Sequence, residues 1–217
     1  MLKSQKHVFW EALLVTILIF TIGIFFGILI EGNRMDTINE YYAQSEISLM
    51  DMIIYQDIVK SDDTTCETLI ESNIKFADKI YSEAVFLSRY DDQQLTKGAE
   101  LAQKRYSLLR TLLWMDIIKT QENCENDFNS VIYLYRQNTQ DLTKKAEQKV
   151  WSKILGDLKE ELGNEIILIP IGVVEEDISL NTIIKKYEIT ELPAVIVNDH
   201  PITEISSKED LKKYLNE

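Results

Sequence analysis

Residues Ala12 to Ile30, ALLVTILIFTIGIFFGILI, form a run of 19 residues without one charged side chain. At about 1.5 Å of rise per residue, a helix of this length reaches roughly the 30 Å of a bilayer core. A backbone in lipid must satisfy its own hydrogen bonds, so a helix is expected here despite the β-branched Ile, Val and Thr. A cleaved signal peptide has a shorter apolar core and ends at a small-x-small site, and Ile28-Leu29-Ile30-Glu31 offers none. The expectation is an uncleaved, single-pass transmembrane anchor over 12–30, in preference to a cleaved signal or a buried core helix.

The flanks give the anchor a direction. Residues 1–11 hold Lys3 and Lys6 against Glu11, a net of +1. The whole chain carries −13, which leaves −14 for residues 31–217. Positive charge is retained on the cytoplasmic side. Residues 1–11 are therefore expected inside the cell membrane and the acidic body outside it. That acidity also argues against a nucleic-acid partner, whose phosphates need a basic face. Two His and two Cys leave too little for a dedicated metal site, and no cofactor is expected. Within the anchor, Gly23 and Gly27 match G-x-x-x-G, a spacing that lets two helices pack closely. The alternative is lipid-facing glycine without a partner. The expected partners are thus the lipid bilayer and a protein or a second copy of the chain.

Residues 31–125 read as a helical region. Ile38, Tyr42, Leu49, Ile53 and Ile58 recur at helical spacing, and Ser61-Asp62-Asp63-Thr64-Thr65 breaks the run. Thr64 or Thr65 is a candidate N-cap for a second helix carrying Leu69, Ile70, Ile74, Ala77, Ile80, Ala84 and Leu87. A turn at Tyr90-Asp91-Asp92 leads to a third, from about Gln93 to Lys119, through Leu101, Leu108, Leu112, Trp114 and Ile118. Helices two and three then form an antiparallel hairpin stalk. Its geometry brings Cys66 and Cys124 to the same end. A structural disulfide is favoured outside the cytoplasm, where oxidation is permitted. A redox-active pair and two free buried thiols are the other readings. Glu122 and Glu125 beside Cys124 disfavour a reactive thiolate.

After the polar stretch 121–129 the period changes, and residues 126–217 read as a separate domain. Val131–Tyr135 is a buried strand, Lys144–Leu162 an amphipathic helix ending at Gly163-Asn164, and Ile166–Val174 a second strand. Leu180–Tyr187 is a helix, Ala194–Val197 a third strand, and Ile202–Ile205 a fourth after the turn Asn198-Asp199-His200-Pro201. Ser206 or Ser207 caps a last helix with Leu211, Tyr214 and Leu215 inward. The order is β-α-β-α-β-β-α. With Tyr187-Glu-Ile189-Thr-Glu-Leu192-Pro193-Ala-Val195-Ile-Val197, it resembles the thioredoxin-like superfamily in its minimal form. The fold class expected is therefore mixed α+β and α/β: a transmembrane helix, a helical hairpin and a minimal thioredoxin-like domain. The resemblance implies a sheet in the order 2-1-3-4. It also implies a cis proline at Pro193, with Leu192, Pro193 and Ala194 shaping a peptide groove.

One departure from that family decides the expected chemistry. Its oxidoreductases carry Cys-x-x-Cys after the first strand, a place that falls here on Gln140-Asp141-Leu142-Thr143. Gln140 and Thr143 cannot supply the attacking and resolving thiols that exchange requires. In the expected sheet the second strand lies at an edge, and Pro170, lacking an N–H, suits an edge left uncovered. No Gly-rich phosphate loop, H-x-x-x-H or G-x-S-x-G is present. The reading favours a non-enzymatic, extracytoplasmic, redox-inactive module for protein binding or scaffolding. Its rivals are a thiol oxidoreductase or accessory using Cys66 and Cys124, and a dimeric sensor or membrane-complex subunit.

Overall fold

The structure is a computed structural model and describes residues 5–61, 66–88, 97–124, 128–174, 177–202 and 207–215. Three helices come first: α1 (Gln5–Ser61), α2 (Cys66–Ser88) and α3 (Lys97–Asn123). They are followed by β1 (Asn129–Arg136), α4 (Leu142–Leu162), β2 (Ile166–Val173), α5 (Ile178–Lys186), β3 (Ala194–Val197), β4 (His200–Ile202) and α6 (Lys208–Leu215). The chain is mixed α/β, with the expected element order after α3. The candidate caps Thr64, Thr65 and Ser206 and the turn Tyr90-Asp91-Asp92 lie outside the described residues.

The chain divides into two compact units, residues 1–41 and 42–217. In the first, His7–Gly32 is one helical stretch of 26 residues, long and apolar enough to cross a membrane. Its large apolar side chains are exposed, Phe20 and Ile30 each at 68%. Thr16 and Thr21 donate their hydroxyls to the carbonyls of Ala12 and Ile17, at 2.9 and 2.8 Å. Both polar groups are thereby satisfied within the helix itself.

In the second unit the four strands make one sheet in the order β2-β1-β3-β4. β1 pairs parallel with β2, from Asn129 opposite Ile166 to Arg136 opposite Val173. β3 runs antiparallel to β1, with Leu134 opposite Ala194, and β4 is antiparallel to β3. Strand side chains alternate between faces, and both faces here are covered. Val131, Tyr133, Ile166, Leu168, Val195 and Val197 pack with Trp151, Leu155 and Leu158 of α4 and Leu211 of α6. Ile132, Leu134, Ile167, Ile169 and Ile196 point the other way and are fully buried. α3 and α5 lie on that side, where Trp114 stacks on Tyr187 with centroids 5.4 Å apart. Burial on both faces explains why β1 and β2 read as continuous apolar runs rather than alternating ones.

The hairpin between β3 and β4 departs from expectation. A two-residue turn, Asn198-Asp199, replaces the four-residue one, and β4 begins at His200 with Pro201 inside it. Asn198 and Asp199 both adopt positive φ, 46° and 70°, the conformation that two-residue hairpin turns require and that Asn and Asp tolerate. Asn198 is fixed further by its side-chain carbonyl, which accepts from the Ser130 N–H at 3.0 Å. Pro201 is acceptable because β4 is an edge strand.

A second correction concerns the β2 edge, which is covered rather than open. α2 and α3 both pack against β2. The Gln137 N–H donates to the Val173 carbonyl on the β1 side. By the two-residue alternation, the carbonyls of Ile166, Leu168, Pro170 and Gly172 therefore point to the outer edge. Lys159 Nζ donates to Ile166 O at 2.9 Å, and Arg110 Nη1 donates to Pro170 O. Cationic side chains thus occupy places where a further strand would bond.

The apolar row expected along α3 turns inward only in part, at buried Trp114 and half-buried Ile118. Leu101, Leu108 and Leu112 are 61%, 38% and 45% exposed, while Gln103, Tyr106, Ser107, Arg110, Thr111, Leu113, Trp114 and Ile117 are buried. The helix turns a partly polar face inward because that face meets β2, whose outer carbonyls need donors. Tyr214 of α6, expected inward, is 40% exposed.

Candidate functional site

Cys66 opens α2 and Cys124 follows the last residue of α3, so the antiparallel hairpin brings them together. They form a disulfide with Cα atoms 5.6 Å apart, closing a separation of 58 residues. Cys66 is exposed and Cys124 is 6% exposed. The base of the hairpin is joined to the start of β1, where Ser130 Oγ donates to Gln121 Oε1 at 3.1 Å.

Gln140-Asp141-Leu142-Thr143, the stretch that the resemblance singles out, lies at the other end of β1. There Gln137 and Asn138 turn the chain, and Asp141 caps α4 by accepting from the N–H groups of Thr143 at 2.8 Å and Lys144 at 3.2 Å. Gln140 and Thr143 are both exposed. β1 has eight residues, and at about 3.3 Å per residue the two places are separated by a strand of roughly 25 Å. The disulfide and the α4 N-terminus are therefore distinct sites.

The Leu192–Pro193 peptide bond is cis. Leu192 is half-buried, and Pro193 and Ala194 are buried. Since Ala194 lies opposite Leu134, the proline sits beside the last residues of β1, next to the turn into α4. Lys144 of α4 joins the two segments: its ammonium lies 3.9 Å from Glu191 and 3.2 Å from Glu147. Both partners are substantially exposed, so this bridge orients more than it stabilises.

Two large apolar side chains stand exposed among the polar residues at this end. Leu142, the first residue of α4, is 81% exposed, and Ile178, the first residue of α5, is 83% exposed. Each begins a helix that follows one of the two parallel strands, so they share the C-terminal edge of the sheet. Beneath them, Gln137 Oε1 is buried without a hydrogen-bond partner among the described residues. A Cβ at Gly172 would come within 3.1 Å of that oxygen and 3.3 Å of the Tyr135 hydroxyl. Glycine is what allows both side chains to fold over β2 here.

Burial and neighbouring charge hold two tyrosines of this unit in the neutral form. Burial pushes Tyr133 well above the ordinary phenol range. Burial, followed by the bond to Asp199, does the same for Tyr187. Neither can act as a base near neutral pH. Among the described residues no group of three or more His, Cys, Asp and Glu is gathered in a way that could hold a metal. At Gly23 and Gly27, an added Cβ would meet nothing within 4 Å.

Sequence reasoning missed Leu142, Lys144 with Glu191, Arg110 and Lys159. The last two left a signal. Lys159 stands four residues after Leu155 on the buried side of α4, and Arg110 shares a helical face with Tyr106, Leu113 and Trp114. A cation on an apolar face implies a specific acceptor. No protein-family model matches this chain, and no curated protein is similar to it.

Proposed function

We propose that the protein is a single-pass, membrane-anchored protein whose extracytoplasmic body carries a redox-inactive, thioredoxin-like domain that binds a polypeptide partner. The observation that carries the binding role is Leu142. A fully presented leucine starts α4, beside the Pro193 loop, at the place where a thiol pair would be needed for exchange. An exposed apolar side chain at the edge of a rigid sheet is suited to contact, and the residues around it offer no thiol. Support for the family reading comes from the sheet order, the helices on both faces and the position of Pro193. Support for the anchor comes from the apolar stretch His7–Gly32, and for its orientation from Lys3 and Lys6.

The oxidoreductase alternative is weaker on geometric grounds. Its only two cysteines close the hairpin at the opposite end of β1 from the Pro193 loop. The binding reading is tested by placing a photo-cross-linking residue at Leu142 of the full chain in native membranes, with exposed Asn164 as the comparison position. Adduct formation with a polypeptide at Leu142 and not at Asn164, lost on Leu192→Asp, is the expected result. Equal labelling at both positions, or none at either, would end this reading. Resistance to alkaline carbonate extraction, and protection of the body from protease in intact cells only when an outer barrier is present, test the anchor and its direction.

A further inference from the structure

Ile47, Met50, Ile54 and Ile58 of α1 are 66%, 57%, 58% and 60% exposed. Steps of three, four and four residues place them within about 80° of arc on one side of the helix. Eleven residues over three turns is close to the natural period of the helix, so the row runs nearly straight. The hairpin engages the same segment on either side of the row. Lys79 of α2 donates to Ser48 Oγ, and Arg105 of α3 pairs with Glu46. The apolar row therefore faces away from the hairpin.

We propose that this row is the contact surface for a second copy of the chain, in a parallel pair that sets Ile47, Met50, Ile54 and Ile58 against their counterparts. A straight, uncharged row of large side chains is complementary to itself, and removing each from water favours association. The flanking charges agree. Glu46 and Asp51 lie on opposite flanks of the row, so a parallel pair brings Glu46 of one copy near Asp51 of the other. Two carboxylates would repel there. Arg105, held on Glu46, supplies the positive charge that such a position needs.

Four side chains per copy make a small interface, of the size that supports weak association in free solution. The pair therefore depends on a high local concentration, which confinement to one membrane supplies. In this respect the inference rests on the anchored reading above. Identical copies anchored by the same segment share one topology, which favours the parallel arrangement.

The experiment uses the full chain reconstituted in lipid vesicles at low protein density. Benzoylphenylalanine is placed singly at Ile47, Met50, Ile54 and Ile58, and at exposed Lys149 of α4 for comparison. Irradiation is expected to give dimer adducts at the four α1 positions, with roughly tenfold less at Lys149. Ile54→Asp in the Ile47 background should reduce the adduct by roughly tenfold. Absence of dimer at all four positions, equal yield at Lys149, or indifference to Ile54→Asp would overturn the proposal. Carbonate extraction of the same vesicles separates the two readings: release of the chain refutes the anchor, whereas a retained chain without adducts refutes only the pair.

Discussion

Arg110 of α3 donates to the carbonyl of Pro170, so the residue of β2 that cannot donate to a neighbouring strand also has its acceptor occupied. Arg110 is 3% exposed, and its guanidinium carbon lies 4.0 Å from the centroid of the Tyr106 ring. The interaction combines a charge-assisted hydrogen bond with a stacked cation, and closes the β2 edge to further pairing. Replacing Arg110 by Met should cost about 2–4 kcal/mol, because the buried carbonyl loses its donor as well as the ring contact. Arg110→Lys should recover only part, since a lysine cannot both stack flat on the ring and reach the carbonyl. Urea unfolding of both variants measures the order; equal stability of Lys and Met variants would contradict this account.

Much of this unit was legible because its signals are local. The apolar runs at Val131–Tyr135 and Ile166–Val174 name the buried strands, Gly163 ends α4, and the two cysteines point at one another once the hairpin is drawn. What stayed hidden depends on contacts across the fold. The exposure of Leu108 and Leu112 cannot be read from spacing, because α3 has apolar residues on more than one side and only β2 decides which face turns inward. For the same reason the cover over the β2 edge was missed: Arg110 and Pro170 are 60 residues apart. At the candidate site, the absence of cysteine was visible in the letters. The exposure of Leu142 was not, since a leucine at the start of a helix is buried or exposed according to the loop beside it.

Lys159 provides a second test of the edge. Its side chain is 10% exposed; Nζ donates to Gly163 O at 2.8 Å and Ile166 O at 2.9 Å, and pairs with Asp78 of α2 at 2.6 Å. Lys159→Met should destabilise by about 2–3 kcal/mol, chiefly through the two carbonyls left without a donor. Asp78 is 40% exposed, so Asp78→Asn should cost only about 1 kcal/mol or less. Chemical denaturation of the two single variants and the double gives the coupling directly. A larger effect from Asp78 than from Lys159 would show that the ion pair, and not the carbonyls, holds α2 in place.

The disulfide should stabilise by constraining the unfolded chain. For a loop of 58 residues the chain-entropy relation gives about 4 kcal/mol as an upper figure. The double replacement Cys66→Ser and Cys124→Ser should therefore lower stability by about 2–4 kcal/mol, and reductant should do the same to the unaltered chain but not to the variant. Thermal unfolding with and without reductant checks both. A variant as stable as the oxidised chain would mean that the hairpin is already closed by α2–α3 packing, including the bond from Asn73 Nδ2 to Thr120 Oγ1 at 3.0 Å.

Glu161 links α4 to α6 and makes part of that link pH-dependent. Hydrogen bonds from Lys208, at 2.6 Å, and from Lys212 pull its carboxyl down from 4.5 to about 2. Lys208 is shifted upward by the same pairing and stays charged throughout the acid range. For a carboxylate with a depressed folded-state value, the contribution is complete above its unfolded value and disappears as pH falls through the folded one. The Glu161 contribution to the contact of α6 with α4 should therefore be complete at pH 7, weaken progressively below about pH 4.5, and be nearly gone near pH 2, while the packing of Leu211 persists. Glu161→Gln should lie below the unaltered chain in thermal stability at pH 7, by a modest amount because the group is solvent-exposed, and the two should converge near pH 2. Raised salt should narrow the gap at pH 7 as well, since screening acts on the same charges. A gap that persists unchanged to pH 2 would assign the loss to packing of the side chain rather than to its charge.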